Sequence, residues 1–287
     1  MTSSLRIINK IKPYNKVIDI DGDKSLSIRW ALLASQAKGK SRAYKLLKSQ
    51  DVLSTLSCLK KLGIKIMIKN KYCEIQGKGI NGFNYKKNLV LNAGNSGTLG
   101  RLILGLLVHS PKKIKLIGDR SLSKRDFSRI TEPLNKVGAR FFFNKKNKLP
   151  LSILGTKFAK PIDYIESKGS AQCKSSIMLS ALNTKGETKI KAKKSRTHTE
   201  LLFKYLGIPI KIKKTKKFDF IRINGKKEFR SFNYKIPADI SSSAFFIVLT
   251  ALSKNSTLII KNVNINTSRV GVIKILLKMG VKISLRN

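Results

Sequence analysis

Three segments of this 287-residue chain place hydroxyl, amide and glycine residues beside lysine or arginine where the surrounding pattern marks a helix start. In Asp23-Lys24-Ser25-Leu26-Ser27-Ile28-Arg29, Lys24 and Ser25 stand at the start, and Arg29 follows Ser25 by four residues, on the same helical face. Asn92-Ala93-Gly94-Asn95-Ser96-Gly97-Thr98 is a glycine-rich turn entering a helix that carries Arg101. Gly169-Ser170-Ala171-Gln172 repeats the arrangement with neutral hydrogen-bonding groups. A helix start presents free N–H groups and a partial positive charge, so each segment suits a phosphate or a carboxylate. Plainer readings stand beside this one. Lys24 and Arg29 can be solvated cations in a basic chain, and Asn95 to Thr98 a turn with its N-cap. Their recurrence at equivalent positions favours an anion site.

Other candidates are weaker. In Ser123-Lys124-Arg125-Asp126-Phe127-Ser128-Arg129, Arg125 and Arg129 are expected to open a second helix, where a cation opposes the dipole unless an anion binds nearby. His198 reads as structural, because Ser195 or Thr197 with Glu200 suits a capping box. Asp239, after Pro237 and before three serines, reads as an N-cap. Cys58, Cys73 and Cys173 are too far apart for a Cys-x-x-Cys site, and with His109 and His198 they make no metal-ligand pattern. They are expected to be reduced and packed, and no cofactor is implied.

The elements that must position these groups repeat. Gly63, Gly138, Gly207 and Gly280 each follow apolar residues at helical spacing and precede alternating apolar residues, at separations of 75, 69 and 73 positions. This predicts helix, glycine cap, then strand, four times over. Upstream of each lies another helix rich in small residues, beginning near Ser25, Gly97, Ser170 and Ser241, and between the two come short strand-like pieces such as Ile114–Ile117 and Thr257–Ile260. The unit is two helices and several strands in about 70 residues, with helices packed together and mixed sheets outside.

Composition sets the limits. The length suits about two domains. With 41% hydrophobic residues, no apolar run near the roughly 20 residues of a spanning helix, and no signal-like stretch in Met1 to Lys16, the expectation is a soluble, cytoplasmic protein without membrane contact. The formal charge is +45, from 60 basic and 15 acidic residues. Only 13 of the cations are arginine, and the lysines are spread along the chain with no aromatic interleave of the kind that stacks bases. Non-specific nucleic-acid binding is expected and specific binding is not.

At this point the motifs resemble a known family. Asp23 to Arg29, Gly94-Asn95-Ser96-Gly97-Thr98-Leu99-Gly100-Arg101, Gly118 to Arg125, Ser170-Ala171-Gln172, Ser195 to Glu200 and Pro237 to Ser242 match, in order and spacing over essentially the whole chain, the 3-phosphoshikimate 1-carboxyvinyltransferases, or 5-enolpyruvylshikimate-3-phosphate synthases. The resemblance implies an α/β (α+β) fold of two globules built from repeated units, and transfer of the enolpyruvyl group of phosphoenolpyruvate to the 5-hydroxyl of shikimate 3-phosphate on the route to chorismate and aromatic amino acids. It implies that Lys24, Ser25, Arg29, Ser170, Gln172 and Arg196 hold shikimate 3-phosphate. Phosphoenolpyruvate would fall to Lys24, Asn95, Gly97, Thr98, Arg125 and Gln172, with Lys24 a participant in proton transfer. It implies glyphosate as an inhibitor, with room left by Gly97, and a monomer. UDP-N-acetylglucosamine 1-carboxyvinyltransferase is disfavoured, since no cysteine stands between Gly118 and Arg125.

The resemblance also implies six repeat units, of which four are recognised here. Residues 22–235 are expected to form a complete globule of three units, and 1–21 with 236–287 a partial second globule exposing apolar surface. The family's catalytic aspartate and further arginines belong to the other two units, so turnover by this chain alone is expected to be impaired unless a separate C-terminal fragment complements it. An inactive relic or a basic RNA-associated protein on the same fold are the alternatives.

Overall fold

A computed structural model describes residues 11–286, so the first ten residues of the expected partial globule lie outside the described residues. The chain divides into two compact units, Gly22–Ile236 on one side and the described parts of Met1–Asp21 and Pro237–Asn287 on the other.

In chain order the elements are β1 (Asn15–Ile18), then α1 (Lys24–Gln36), β2 (Lys38–Tyr44), α2 (Gln50–Lys61), β3 (Lys65–Ile68) and β4 (Tyr72–Lys78) for the first repeat. The second has β5 (Leu89–Asn92), α3 (Gly97–Leu106), β6 (Ile114–Ile117), α4 (Arg120–Ser123), α5 (Ser128–Val137), β7 (Arg140–Phe143) and β8 (Leu151–Leu154). The third has β9 (Asp163–Glu166), α6 (Ala171–Leu182), β10 (Glu187–Lys193), α7 (His198–Tyr205), β11 (Ile210–Lys214) and β12 (Phe218–Asn224). There follow β13 (Asn233–Lys235), α8 (Ile240–Leu252), β14 (Thr257–Ile260) and α9 (Gly271–Lys278).

Each repeat of the larger unit builds one four-stranded sheet with the same topology: β13-β2-β4-β3, β5-β6-β8-β7 and β9-β10-β12-β11. The first pair in each is parallel and the other two are antiparallel. In the second and third repeats the parallel edge strand precedes the first helix. In the first repeat β13 supplies it, so the end of this unit returns to its beginning.

The first helices, α1, α3 and α6, are buried almost all round, with Trp30, Leu32, Leu102, Leu104, Ile177 and Met178 in one continuous core. Small residues make that packing close. A Cβ on Gly105 of α3 would stand 2.1 Å from the Ser176 carbonyl oxygen of α6, so glycine is required for the two helices to approach as they do. The second helices bury one face, and the sheets alternate buried and exposed positions, as in β10 and β12.

The polar residues before each first helix act as caps. Leu26 N–H donates to Asp23 (2.9 Å), Leu99 N–H to Ser96 (3.2 Å), Cys173 N–H to Ser170 (3.2 Å) and Ser241 N–H to Asp239 (2.8 Å). Gly63, Gly138, Gly207 and Gly280 all take positive φ at the ends of α2, α5, α7 and α9, where an L side chain would be strained.

Three expectations are corrected. After Gly280 the described residues form no strand, because residues 281–286 have no partner to complete a ladder. Arg125 does not open a helix: its N–H bonds Leu122 O, closing the end of α4, while Asp126 accepts from Ser128 N–H and Oγ and turns the chain into α5. A cation at the end of α4 agrees with the dipole. The capping box at α7 does not form, since α7 has no side-chain cap bond and Glu200 is buried against Lys174 instead.

In the smaller unit β1 pairs in parallel with β14, and Ile240, Val270 and Ile273 form a small core. Apolar surface is exposed there, with Phe245 and Leu252 of α8 about four-fifths accessible. Among the described residues no helix is long and apolar enough to cross a membrane.

Gly105→Ala tests the close approach of α3 and α6. The added methyl meets backbone, so a loss of roughly 1–3 kcal/mol or more is expected in urea unfolding; unchanged stability would show that the helices separate at no cost.

Candidate functional site

Within the larger unit, the starts of α3 and α6 are stitched together by side chains. Gln172 Nε2 donates to Thr98 Oγ1 at 3.1 Å, and Gln172 Oε1 accepts from Arg101 Nη1 at 2.9 Å. The same guanidinium lies 3.3 Å from Gly97 O and stacks over Phe127, 5.3 Å from the ring centroid. Arg125, exposed at the end of α4, reaches the same turn: a Cβ on Gly97 would stand 2.8 Å from Nη1 of both Arg101 and Arg125. Two guanidinium groups therefore face a glycine at a helix N-terminus. Asn95 Nδ2 donates to Asp119 Oδ2 at 2.5 Å, and Asp119 also caps α4 by accepting from Leu122 N–H at 2.7 Å. The Leu122 N–H and then Asn95 hold the Asp119 carboxyl below the usual carboxylate range. Burial is the main influence lowering the Arg101 pKa, with repulsion from Arg125 and Arg129 acting the same way; the guanidinium nevertheless remains charged at any working pH.

A second cluster joins α1 to α6 and α7. Arg29 is buried, and its guanidinium is held in three directions: Nε to Thr199 Oγ1 (2.8 Å), Nη2 to Ser175 Oγ (3.2 Å) and Nη1 to Ser25 O (3.1 Å). Ser175 and Thr199 share a hydrogen bond of 2.7 Å. One residue along both helices, Lys174 Nζ lies 2.5 Å from Glu200 Oε1, both fully buried. That contact is not aligned as a hydrogen bond, so Coulomb attraction is its main term. His198 Nε2 lies 4.0 Å from Asp23, the buried N-cap of α1. Gln172 and Ser175 are one turn apart on α6, so a single helix face links the two clusters.

The expected residues thus fall as follows. Gly97, Thr98, Arg125 and Gln172 are brought together. Ser25 and Arg29 share the second cluster. Lys24, half-exposed at the first position of α1, pairs with Asp51 of α2 at 3.0 Å. The Ser170 oxygen caps α6 by accepting from Cys173 N–H. Asn95 is tied to Asp119. Arg196 is exposed in the loop before α7.

Sequence reasoning missed the supporting set. It places Arg101 in the glycine-rich segment but gives it no binding role, although its i+4 spacing from Gly97 was a signal. Ser175, Thr199, Lys174 and Glu200 had none, because isolated hydroxyls and charges on two distant helices do not announce that they will meet. The three cysteines are buried, and burial pushes Cys58 to about 11 and Cys73 to about 12, so both stay as thiols at neutral pH. Among the described residues no group of three His, Cys, Asp or Glu side chains could hold a metal ion.

This arrangement of capped, cation-flanked helix starts can be compared with known proteins. Residues 8–287 match the family model described as EPSP synthase (3-phosphoshikimate 1-carboxyvinyltransferase). The chain belongs to that family. The 3-phosphoshikimate 1-carboxyvinyltransferase of Petrotoga mobilis is 42% identical over 277 residues, covering 95% of this chain and 63% of that protein. That of Streptococcus agalactiae serotype III is 38% identical over 283 residues, covering 98% and 65%. A solved structure of EPSP synthase from Acinetobacter baumannii superposes with a TM-score of 0.89 at 34% identity, over 98% of this chain and 63% of that one. The α/β fold is therefore that of the EPSP synthases, and the chain spans about 63–65% of the length of these relatives.

Glu200→Gln removes one charge of the buried pair without changing volume. Leaving Lys174 uncompensated is expected to cost about 3–5 kcal/mol in denaturant unfolding. The double variant Lys174→Met with Glu200→Leu is expected to recover most of that loss, and equal destabilisation of single and double variants would rule out a charge-pair role.

Proposed function

We propose that this chain binds shikimate 3-phosphate and phosphoenolpyruvate and carries part of the machinery that transfers the enolpyruvyl group between them, in the cytoplasm, on the way to chorismate and the aromatic amino acids. The observation that carries the reading is the pair of guanidinium groups, Arg101 and Arg125, facing Gly97 at the start of α3. Cations beside free N–H groups attract a dianion from both sides.

In this reading phosphoenolpyruvate takes its place at Gly97, Thr98 and Arg125, with Asn95 holding the turn through Asp119 and Gln172 reaching across from α6. Shikimate 3-phosphate takes the other cluster, with Ser25, Arg29, Ser170, Gln172 and Arg196 as its partners. Lys24 touches both. The reaction forms a bond between the 5-hydroxyl oxygen and C2 of phosphoenolpyruvate while the methylene carbon gains a proton and the hydroxyl loses one. Elimination then breaks the C2–O bond to phosphate, releases inorganic phosphate and returns the methylene proton. Fixed cations stabilise the negative charge carried by both substrates and by the tetrahedral adduct. In this reading the ammonium of Lys24, which pairs with Asp51 at 3.0 Å, exchanges that carboxylate for substrate oxygen and assists proton transfer.

The reading is tested by calorimetric titration of shikimate 3-phosphate into the full chain at moderate salt, beside Lys24→Ala and Arg196→Ala. Binding by the parent chain that falls at least tenfold in each variant is expected; absence of binding, or equal binding in all three, overturns it. A second test separates the two clusters. In Gly97→Ala the methyl meets the flexible ends of Arg101 and Arg125, so folding survives but both guanidinium groups shift. Phosphoenolpyruvate and glyphosate are expected to bind more weakly, with shikimate 3-phosphate little changed. Uniform weakening of all three ligands would mean that the clusters are not separate.

A further inference from the structure

The outer face of the sheet β9-β10-β12-β11 carries groups that the anion site does not use. Its inner residues, Thr188, Ile190, Ala192, Ile221 and Ile223, are buried beneath it. By strand alternation the outer face presents the other set, and the register places them in rows. Lys211 stands opposite Arg222, and Arg222 opposite Lys189. In the next row Lys213 is opposite Phe220, Phe220 opposite Lys191, and Lys191 opposite Ile165. In the last, Phe218 is opposite Lys193.

Two aromatic rings on one strand, two residues apart, are thus flanked by cations, Phe220 on both sides and Phe218 on one. Phe220 is 38% exposed, enough for a planar group to reach its ring. The Lys191 ammonium lies 4.9 Å from the Phe218 centroid and 5.8 Å from that of Phe220, covering both rings with a flexible chain that can swing aside. Six cations share the face with two carboxylates, Glu187 and Asp163, and only Lys189 lies near one of them, 4.0 Å from Asp163. The hairpin between β11 and β12 adds Lys216 and Lys217.

The other two sheets differ. On the sheet holding β2 and β4, Tyr44 and Tyr72 pack together beneath an Arg42 that is bonded to Glu74 at 2.8 Å. On the sheet holding β7, Phe142 stands with Lys113 above it. One lysine lying over two rings, with little acidic competition, distinguishes the β9-β10-β12-β11 sheet from them.

We propose that the outer face of β9-β10-β12-β11 binds single-stranded nucleic acid, with bases stacked on Phe218 and Phe220 and phosphates held by the flanking lysines and Arg222. The partner is chosen by chemistry. A polyanion answers the charge, flat unpaired bases answer the exposed Phe220 ring and the partly exposed Phe218 ring, and the roughly 7 Å between alternate residues of a strand suits successive bases of an extended strand. A duplex hides its bases and offers the rings nothing. Although the amino-acid sequence suggested no stacking interleave, the three strands create one by lying side by side.

The test uses the full chain and a fluorescein-labelled single-stranded RNA of about 12 nucleotides, with affinity read by anisotropy across a salt series. Phe218→Ala with Phe220→Ala is expected to weaken binding about tenfold or more, while binding to duplex DNA and to heparin stays within about twofold. Lys191→Gln with Lys213→Gln is expected to lower the slope of log affinity against log salt by about 1.4, for two lost contacts. Lys60→Gln with Lys136→Gln, which removes two charges elsewhere, is expected to change single-strand affinity by less than half as much. If the alanine variant melts early, Phe218→Leu with Phe220→Leu keeps apolar packing and removes the aromatic faces, and the same loss is expected. Unchanged RNA affinity in the phenylalanine variants, equal losses for RNA, duplex and heparin, or equal effects of the two lysine pairs would each overturn the proposal. So would phenylalanine-dependent binding of phosphatidylglycerol vesicles stronger than that of RNA, which would make the face a lipid-binding one.

Discussion

Burial of α1, α3 and α6 on nearly all sides is the constraint on which the larger unit depends. A helix enclosed in this way cannot send its unpaired N-terminal N–H groups to bulk water along its length, so its start must be satisfied locally. Asp23, Ser96 and Ser170 each satisfy one such group, and the remainder of each start is available to a bound anion. The same enclosure demands small residues where helices meet, which is why Gly105 lies against the Ser176 carbonyl. Packing and ligand chemistry therefore draw on the same three elements.

Enclosure also raises the cost of every misplaced charge. Arg29 and Lys174 are buried in a chain already carrying a large positive excess, and burying a cation is unfavourable unless polar groups replace its water. Arg29 is surrounded by Thr199, Ser175 and the Ser25 carbonyl, and Lys174 by Glu200. Because Ser175 and Thr199 lie on α6 and α7, solvating Arg29 ties those two helices to α1, and the Lys174–Glu200 pair ties them to each other. Gln172 performs the neutral counterpart at the starts of α3 and α6, where its amide satisfies Arg101 and Thr98 together. Rigid placement of charge is what a site for anionic substrates requires, since groups already oriented need not reorganise when charge develops.

The large net charge has two distinct expressions. In the interior, each cation is matched by designed neighbours. On the sheets it is matched only in places, and its consequence depends on what lies between the cations: a tyrosine pair braced by Arg42 and Glu74 on one sheet, and two phenylalanines beside lysines on another.

The local order of this protein was legible in its amino-acid sequence because local order depends on neighbours along the chain. Polar caps before small-residue helices, glycines at positive φ after the second helices, and the four-fold repeat all follow from spacing, and the proposal of anion binding at the helix starts rests on residue type. Where two local rules competed, the spacing misled. Glu200 fits a capping box, but tertiary packing brings Lys174 within reach, and a buried ammonium outweighs an exposed N–H in its claim on a carboxylate. Arg125 fits a helix start until Asp126 turns the chain after it. The sequence by itself thus determined the family, the repeating helices and several of the cations proposed for the site. Tertiary structure alone decided that Gln172 joins Arg101 to Thr98, that Arg29 is clamped by two other helices, and that Phe218 and Phe220 lie among lysines of neighbouring strands. Those contacts span distant parts of the chain, and a spacing rule has no access to them because their geometry exists only once the sheets and helices have packed.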